Sequence, residues 1–290
     1  MFWEVIMNKK ILMREVFNVS MLLPITALFV FCLLVPFINS LWIMMTNWDG
    51  ISTTWRFIGL KNFQYLFKSR DAVTPVVNTL YFTLFNTVLI NILGFLLAYL
   101  VSYGFRGYNI CKAIFFMPVA VSMVLAGYTW TYVFSYVFPV IGLPSMLGMI
   151  ETAKGGLVIV NTWRDAGFAM IIYYAGMQGV PQSVLESAEI DGANAWRKLT
   201  RITMPMMISS FTINFTMFFG WSMKTFELPM TTTGGGPGRA TETFAIYVYK
   251  YAFMGNMVGF AQAAALLMML IICATSAVIT ITLRKRELEL

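Results

Sequence analysis

The chain contains no histidine among its 290 residues. It therefore lacks the commonest biological metal ligand and the commonest general base near neutral pH, which removes most hydrolase and zinc-centre readings. Any catalysis would have to rest on carboxylates or lysine. Cysteine is scarce as well: Cys32, Cys111 and Cys273 are far apart, with no CxxC pair and no readable disulfide framework. Charge is low for the chain's length. Only 11% of residues are Asp, Glu, Lys or Arg, against about 25% in soluble domains. With 59% hydrophobic and 16% aromatic residues, a soluble fold could not hide the apolar surface.

What the chain has instead is a series of apolar runs, each long enough to cross a bilayer core as a helix of about 20 residues. Hydropathy places six spans, at about Val19 to Thr46, Pro75 to Ser102, Ala113 to Val137, Leu157 to Met177, Met206 to Leu228 and Met257 to Leu283. The expected fold is an all-α integral membrane protein, a six-helix bundle forming one domain over residues 1–290. The first run is much longer than a signal-peptide core and shows no small-residue cleavage pattern, so it reads as a retained helix. It holds Pro24 and Pro36, where kinks are expected. Its end is expected to project beyond the bilayer or tilt, with Trp42 and Trp48 at the interface.

The formal charge of +7 does not point to nucleic acid, because Lys and Arg sit in short clusters beside the apolar runs rather than on one basic face. Membrane orientation explains them. With cytoplasmic termini, the inner side carries Lys9, Lys10, Arg14, Arg106, Lys112, Arg197, Lys198, Arg201, Arg284, Lys285 and Arg286. The outer side carries Arg56, Lys61, Lys68, Arg70, Lys154, Arg239 and Lys250. The excess on the first set favours both termini on the cytoplasmic side.

The most informative stretch runs from about residue 181 to 205, between the fourth and fifth spans, and is too polar to cross a membrane. Pro181 fits the first helical position, and Gln182 to Ile190 reads as a short amphipathic helix with Val184, Leu185 and Ala188 on its apolar side. Gly192 can end it in a left-handed cap. A second short helix from Ala195 leads towards Pro205. Two short helices meeting at a glycine corner, with small residues Ser187 and Ala188 exposed near Glu186, make a compact knob that could enter another protein's cleft.

The residues Glu186, Ser187, Ala188, Gly192, Ile202, Met204 and Pro205 resemble the EAA loop of ABC importer permeases, with Ser187 and Met204 replacing an Ala and a Leu of the pattern. The triplet Asp191-Gly192-Ala193, the run Phe57 to Phe63, and Gly234 to Pro237 followed by Thr241-Glu242-Thr243 are similar to the carbohydrate-uptake, maltose-type, binding-protein-dependent branch. The resemblance implies a type I importer permease in which Glu186, Ser187, Ala188, Asp191, Gly192, Ala193 and Pro205 couple to a separate ATPase. It further implies a second homologous permease, two ATPase subunits, an extracytoplasmic sugar-binding protein, and a sugar or oligosaccharide as cargo. ATP and Mg would be used by the ATPase, with no cofactor or metal on this chain. The glycine-rich Gly234 to Gly238 supports that division of labour, since no Gly-Lys-Ser/Thr follows it.

Polar or aromatic side chains inside spans are candidates for the substrate pathway, because lipid does not tolerate them without a partner. Asn86, Asn91, Tyr128, Tyr173, Asn214, Trp221 and Lys224 qualify; each could equally bind a neighbouring helix. Lys224 and Glu227, three apart, could pair on one helix face. An ion-coupled secondary transporter is an alternative, but it would want more intramembrane acid than Asp165 and Glu227 supply. A membrane transferase would need Glu186, Glu189 and Asp191 to hold a metal without a second acidic cluster. Importing a polyol phosphate is a further alternative, though it calls for a more basic lining than Lys224.

Overall fold

The computed structural model describes residue 17 and residues 20–287, with side chains to residue 285. Lys9, Lys10, Arg14 and Val19 lie outside the described residues, as does the side chain of Arg286. The principal helices are α1 (Ser20–Ile43), α2 (Lys61–Lys68), α3 (Val73–Ser102), α4 (Tyr108–Phe116), α5 (Met123–Tyr132), α6 (Ile150–Gln178), α7 (Gln182–Ile190), α8 (Ala195–Lys198), α9 (Ile208–Met223), α10 (Glu227–Thr233), α11 (Phe244–Tyr249) and α12 (Val258–Glu287). The chain falls into two compact units: one comprises the residues up to Leu66 with Tyr251–Leu266, the other Phe67–Lys250 with the residues from Leu267 onward.

Among the described residues, three helices are long and apolar enough to cross a membrane: Ser20–Ile43, Arg70–Ser102 and Val258–Lys285. Two bent pairs raise the number to five if each counts as one span: Tyr108–Ala120 with Met123–Val140 at 96°, and Ala195–Met206 with Ile208–Met223 at 68°. The fourth expected span lies on α6, whose 29 residues rise about 43 Å at 1.5 Å each, beyond the ~30 Å hydrocarbon core. Glu151, Lys154, Arg164 and Asp165 interrupt its apolar character. The third span, expected as one run from Ala113 to Val137, is broken at Val121 and Ser122. Val121 is extended at ψ 128, and Ser122 caps α5 by accepting a hydrogen bond from the Leu125 amide at 3.2 Å.

Three wide π turns explain how proline is held inside these helices. Val30–Leu34, Val133–Val137 and Leu199–Thr203 each end two residues before a proline: Pro36, Pro139 and Pro205. Proline lacks an N–H and presses on the carbonyl four residues back. One extra residue in the preceding turn relieves that crowding. The distortion expected at Pro36 takes this form, and the helix continues through Pro24.

In the first unit, the buried Asn62 amide donates to the carbonyls of Met44 at 2.8 Å and Thr46 at 2.9 Å, tying α2 to the end of α1. Ser40 on α1 donates to Gln262 on α12. Asp49 accepts from the Ser52 hydroxyl and from the Ser52 and Ile51 amides. These bonds, the hydroxyl first, hold its carboxyl down to about 2. The turn is therefore retained through mildly acid pH and loses this support only as pH falls through that value.

In the second unit, α3 shows the logic of a membrane core. Asn78, Thr79, Phe82, Thr83, Asn86, Thr87, Ile90 and Asn91 are buried on one face, while Val77, Leu80, Leu84, Val88 and Ile92 are exposed on the other. In lipid the apolar face needs no protein cover, whereas polar groups must turn inward to find partners. Gly94 lets α3 approach α6 closely: a Cβ there would stand 2.5 Å from the Cβ of Ala169 and 3.1 Å from the Ala166 carbonyl. Around that crossing pack Ile90, Ala98, Met170, Tyr173, Met177, Met207 and Phe218.

Candidate functional site

The segment between α6 and α9 forms a capped knob. Pro181 occupies the N-cap with ψ 130, one position before the expected first helical turn, because its extended backbone must reverse out of α6 before α7 starts. The α7 limits, Gln182 and Ile190, match the expectation. At its end the Ala193 amide donates to Ala188 O at 2.9 Å and the Gly192 amide to Glu189 O at 3.0 Å. This is a Schellman closure. It demands the left-handed φ of +77° that Gly192 adopts. Asn194 caps α8 through its side-chain oxygen, which accepts from the Arg197 amide at 2.9 Å. Lys198 then reaches back to Glu189 at 3.1 Å. Glu186, Ser187 and Asp191 are exposed, whereas Ala188, expected to be exposed, is half-buried, as are Ala193 and Pro205. Under the knob lies a cavity of about 620 Å³, lined by Tyr99 and Ser102 of α3, by Tyr103 just after it, and by Gln182, Glu189 and Lys198.

A second concavity, of about 420 Å³, opens at the other end of α9. Its wall includes Met123 of α5, Asn161, Arg164 and Asp165 of α6, Phe218, Trp221 and Ser222 of α9, and Lys224 to Leu228. It exists because two helices stop there. α9 ends at Met223, and α10 begins only at Glu227, leaving Lys224 to Phe226 outside helices. Lys224 and Glu227 thus do not share a helix face as expected; both line the cavity. Arg164 Nη1 lies 2.6 Å from Asp165 Oδ1, and Arg164 Nε donates at 3.2 Å to the Val121 carbonyl left open by the broken third span. Trp221 stands edge-on to Phe218 with centroids 5.5 Å apart, and Phe168 stands 5.8 Å from Trp221. The cavity offers aromatic faces, an amide, and equal numbers of acidic and basic side chains.

Of the pathway candidates, Trp221 and Lys224 come together in this cavity. Asn91, Tyr173 and Asn214 meet elsewhere, in the α3, α6 and α9 core. Tyr173 donates its hydroxyl to Asn91 Oδ1, Asn91 Nδ2 donates to Thr87 O at 2.7 Å, and Asn214 Nδ2 donates to Ala169 O at 3.3 Å. Asn86 is buried on α3 with its Oδ1 lacking a protein partner, and Tyr128 is 62% exposed on α5, off the cavity wall. Asn161, Arg164, Asp165 and Glu227 were not among the candidates. Their signal was the adjacent Arg164-Asp165 charges inside an apolar run, since charge at that depth marks cavities or pathways.

The family model for the inner membrane component of binding-protein-dependent transport systems matches residues 90–287. The chain belongs to that family. It is 31% identical over 89% of its length, and 90% of the relative's, to the probable starch degradation products transport system permease protein AmyD of Thermoanaerobacterium thermosulfurigenes. It is 29% identical to the multiple sugar-binding transport system permease protein MsmF of Streptococcus mutans, over 87% of this chain and 89% of the relative. In fold it is similar to a chain of a crystal structure of a bacterial ABC transporter involved in the import of the acidic polysaccharide alginate. The TM-score is 0.83 at 22% identity, covering 95% of this chain and 98% of that one. The chain is thus a multi-helix inner-membrane permease component of a transport system rather than an enzyme.

Proposed function

We propose that this permease forms half of the translocation pathway of an ATP-driven, binding-protein-dependent importer for a neutral sugar or oligosaccharide. Its cytoplasmic coupling loop, residues 181–205, takes up the motion of the ATPase. The observation that carries the reading is the knob. Its exposed Glu186 and Ser187 precede a Schellman closure at Gly192, which presents them on a rigid corner inside the family-matched region. Rigidity matters, since a loop that transmits closure of a partner must not absorb it. Glu186 would meet an Arg or Lys of the ATPase in a charge-assisted bond. Both termini are cytoplasmic in this reading, by the basic clusters near the span ends. The partners are a second homologous permease, two ATPase subunits that use ATP and Mg, and an external sugar-binding protein.

The cavity at the end of α9 is the place offered to substrate in transit. Aromatic faces with a few amide and charged groups suit a sugar ring, and the relatives' names speak of sugars and starch products. Arg164 is spent on Asp165, and Glu227 stands near Lys224 in the lining. That balance favours a neutral ligand over the alternative, a polyol phosphate. An ion-coupled secondary transporter is disfavoured by the family membership.

The test places a single cysteine at Ser187 in a background without Cys32, Cys111 and Cys273. Nucleotide-sensitive cross-links to co-expressed ATPase subunits are expected. A loop that cross-links to nothing and stays open to aqueous reagents in the assembled complex would sink the coupling reading.

A further inference from the structure

The polar cavity under the knob, at about 620 Å³, is larger than the one at the other end of α9, at about 420 Å³. It falls within the roughly 300–1,000 Å³ of small-molecule sites. One wall is the end of α3, Tyr99 and Ser102, with Tyr103 just beyond. Another is the knob itself, through Gln182, Leu185, Glu189 and Lys198, and Gln178, the last residue of α6, also lines it. Among the described residues no hydrogen bond crosses from α3 to the knob. The Tyr103 hydroxyl donates to the Tyr99 hydroxyl, the Ser102 hydroxyl donates to Tyr99 O at 2.7 Å, and the side-chain bonds of the knob close within the knob.

The walls therefore keep hydrogen-bonding capacity to spare. Of the two phenolic hydrogens one is used between Tyr103 and Tyr99 and the other remains to be donated, and the Gln178 and Gln182 side chains hold no hydrogen bond among the described residues. The charged groups of the wall are Glu189 and Lys198, which pair at 3.1 Å and cancel. The other charges of the knob, Glu186, Asp191, Arg197 and Arg201, are exposed and off the lining, as is Arg106 beyond α3. A phosphate or carboxylate thus finds no spare cation here, whereas hydroxyls, amides and tyrosine rings suit a neutral sugar. We propose that this cavity is a second, inhibitory sugar site, entered from the cytoplasm, in which a neutral mono- or oligosaccharide bridges the end of α3 to the knob. This rests on the reading of the knob as the cytoplasmic coupling element. A bound molecule joining two walls that no hydrogen bond of the chain joins opposes displacement of one against the other, so solute accumulating inside the cell slows its own import.

The experiment uses the assembled importer in vesicles, with the ATPase subunits facing out, binding protein loaded with its own sugar enclosed at saturation, and maltose as the probe added outside. Millimolar maltose is expected to lower ATP hydrolysis about fivefold, the scale of a modest coupling between sites. Tyr103→Ala and Gln178→Ala, both outside the coupling loop, should keep the uninhibited rate and raise the maltose concentration for half-inhibition about tenfold, the loss of one good contact. Tyr103→Phe, which keeps the ring, should raise it less. Binding of radiolabelled maltose to the complex carrying Trp221→Ala, whose other cavity is weakened, should follow the same order. Undiminished hydrolysis, inhibition that survives Tyr103→Ala unchanged, or stronger inhibition by glucose 6-phosphate than by maltose would each overturn the proposal. Cross-linking at Ser187 separates the failures: cross-links without inhibition remove this site alone, whereas no cross-links at all remove the coupling reading beneath it.

Discussion

The knob after α6 and the cavity at the end of α9 are built by opposite means. The knob is convex and local: some two dozen consecutive residues set it, through an extended Pro181, a left-handed Gly192 and the Asn194 cap. The cavity is concave and assembled from three separated stretches, with α5, α6 and the α9 to α10 break each giving a part of its wall. A protruding element can be specified by caps, because its shape follows from its own backbone. A pathway through a membrane must come from helices that stop short of one another, since only a break leaves polar backbone and side chains facing a space rather than lipid.

The largest effect is expected where the local shape is destroyed. Gly192→Pro, with Glu186→Ala, forces φ to about −65° where +77° is required. It also removes the amide that donates to Glu189 O. Sugar uptake should fall to background while the complex still assembles in the membrane, measured by transport in vesicles beside co-purification of the subunits. A variant that transports normally would show that the knob's shape does not matter.

Next in size is the ion pair that faces the cavity. Asp165→Leu leaves Arg164 without its carboxylate, a loss of about 3 kcal/mol if the pair behaves as a buried one. The thermal midpoint in detergent should drop, and uptake with it. Arg164→Met combined with Asp165→Leu should restore most of the stability without restoring uptake, because removing both charges together spares the desolvation penalty. If the double variant recovered both, the pair would be structural only.

That contrast also explains what was legible in the sequence. The limits of α7 and the role of Gly192 could be read because cap signals lie within a few residues of what they specify. Pro181 was displaced by one place, since whether proline stands before or inside a helix depends on the direction of the preceding chain. The bend between Ala120 and Met123 was missed because hydropathy sums composition and is blind to direction. The supposed Lys224 and Glu227 pair failed for a similar reason: the spacing rule holds only while the helix continues, and α9 ends at Met223. Asn161, Arg164 and Asp165 could be seen as polar residues, yet only the packing of α6 against the broken third span turns them towards one space. Conversely Asn91, Tyr173 and Asn214, marked as pathway candidates, meet in the α3, α6 and α9 core away from the cavity wall.

The finest distinction is between two aromatic residues that the sequence treats alike. Trp221 lines the cavity, edge-on against Phe218, and is 46% exposed; Tyr128 is 62% exposed on α5 and takes no part in the wall. If the cavity carries substrate, Trp221→Ala should raise the sugar concentration for half-maximal uptake by about tenfold, the scale of one lost aromatic contact of about 1.4 kcal/mol. Trp221→Phe should keep the ring face and lose only about threefold, and Tyr128→Ala should leave uptake unchanged. Measuring all three in one vesicle assay compares them under the same binding protein and the same ATPase, so those components cancel. Equal losses at Trp221 and Tyr128 would mean that aromatic bulk in the bundle, rather than this cavity, governs transport; a loss confined to Tyr128 would move the pathway to the exposed face of α5.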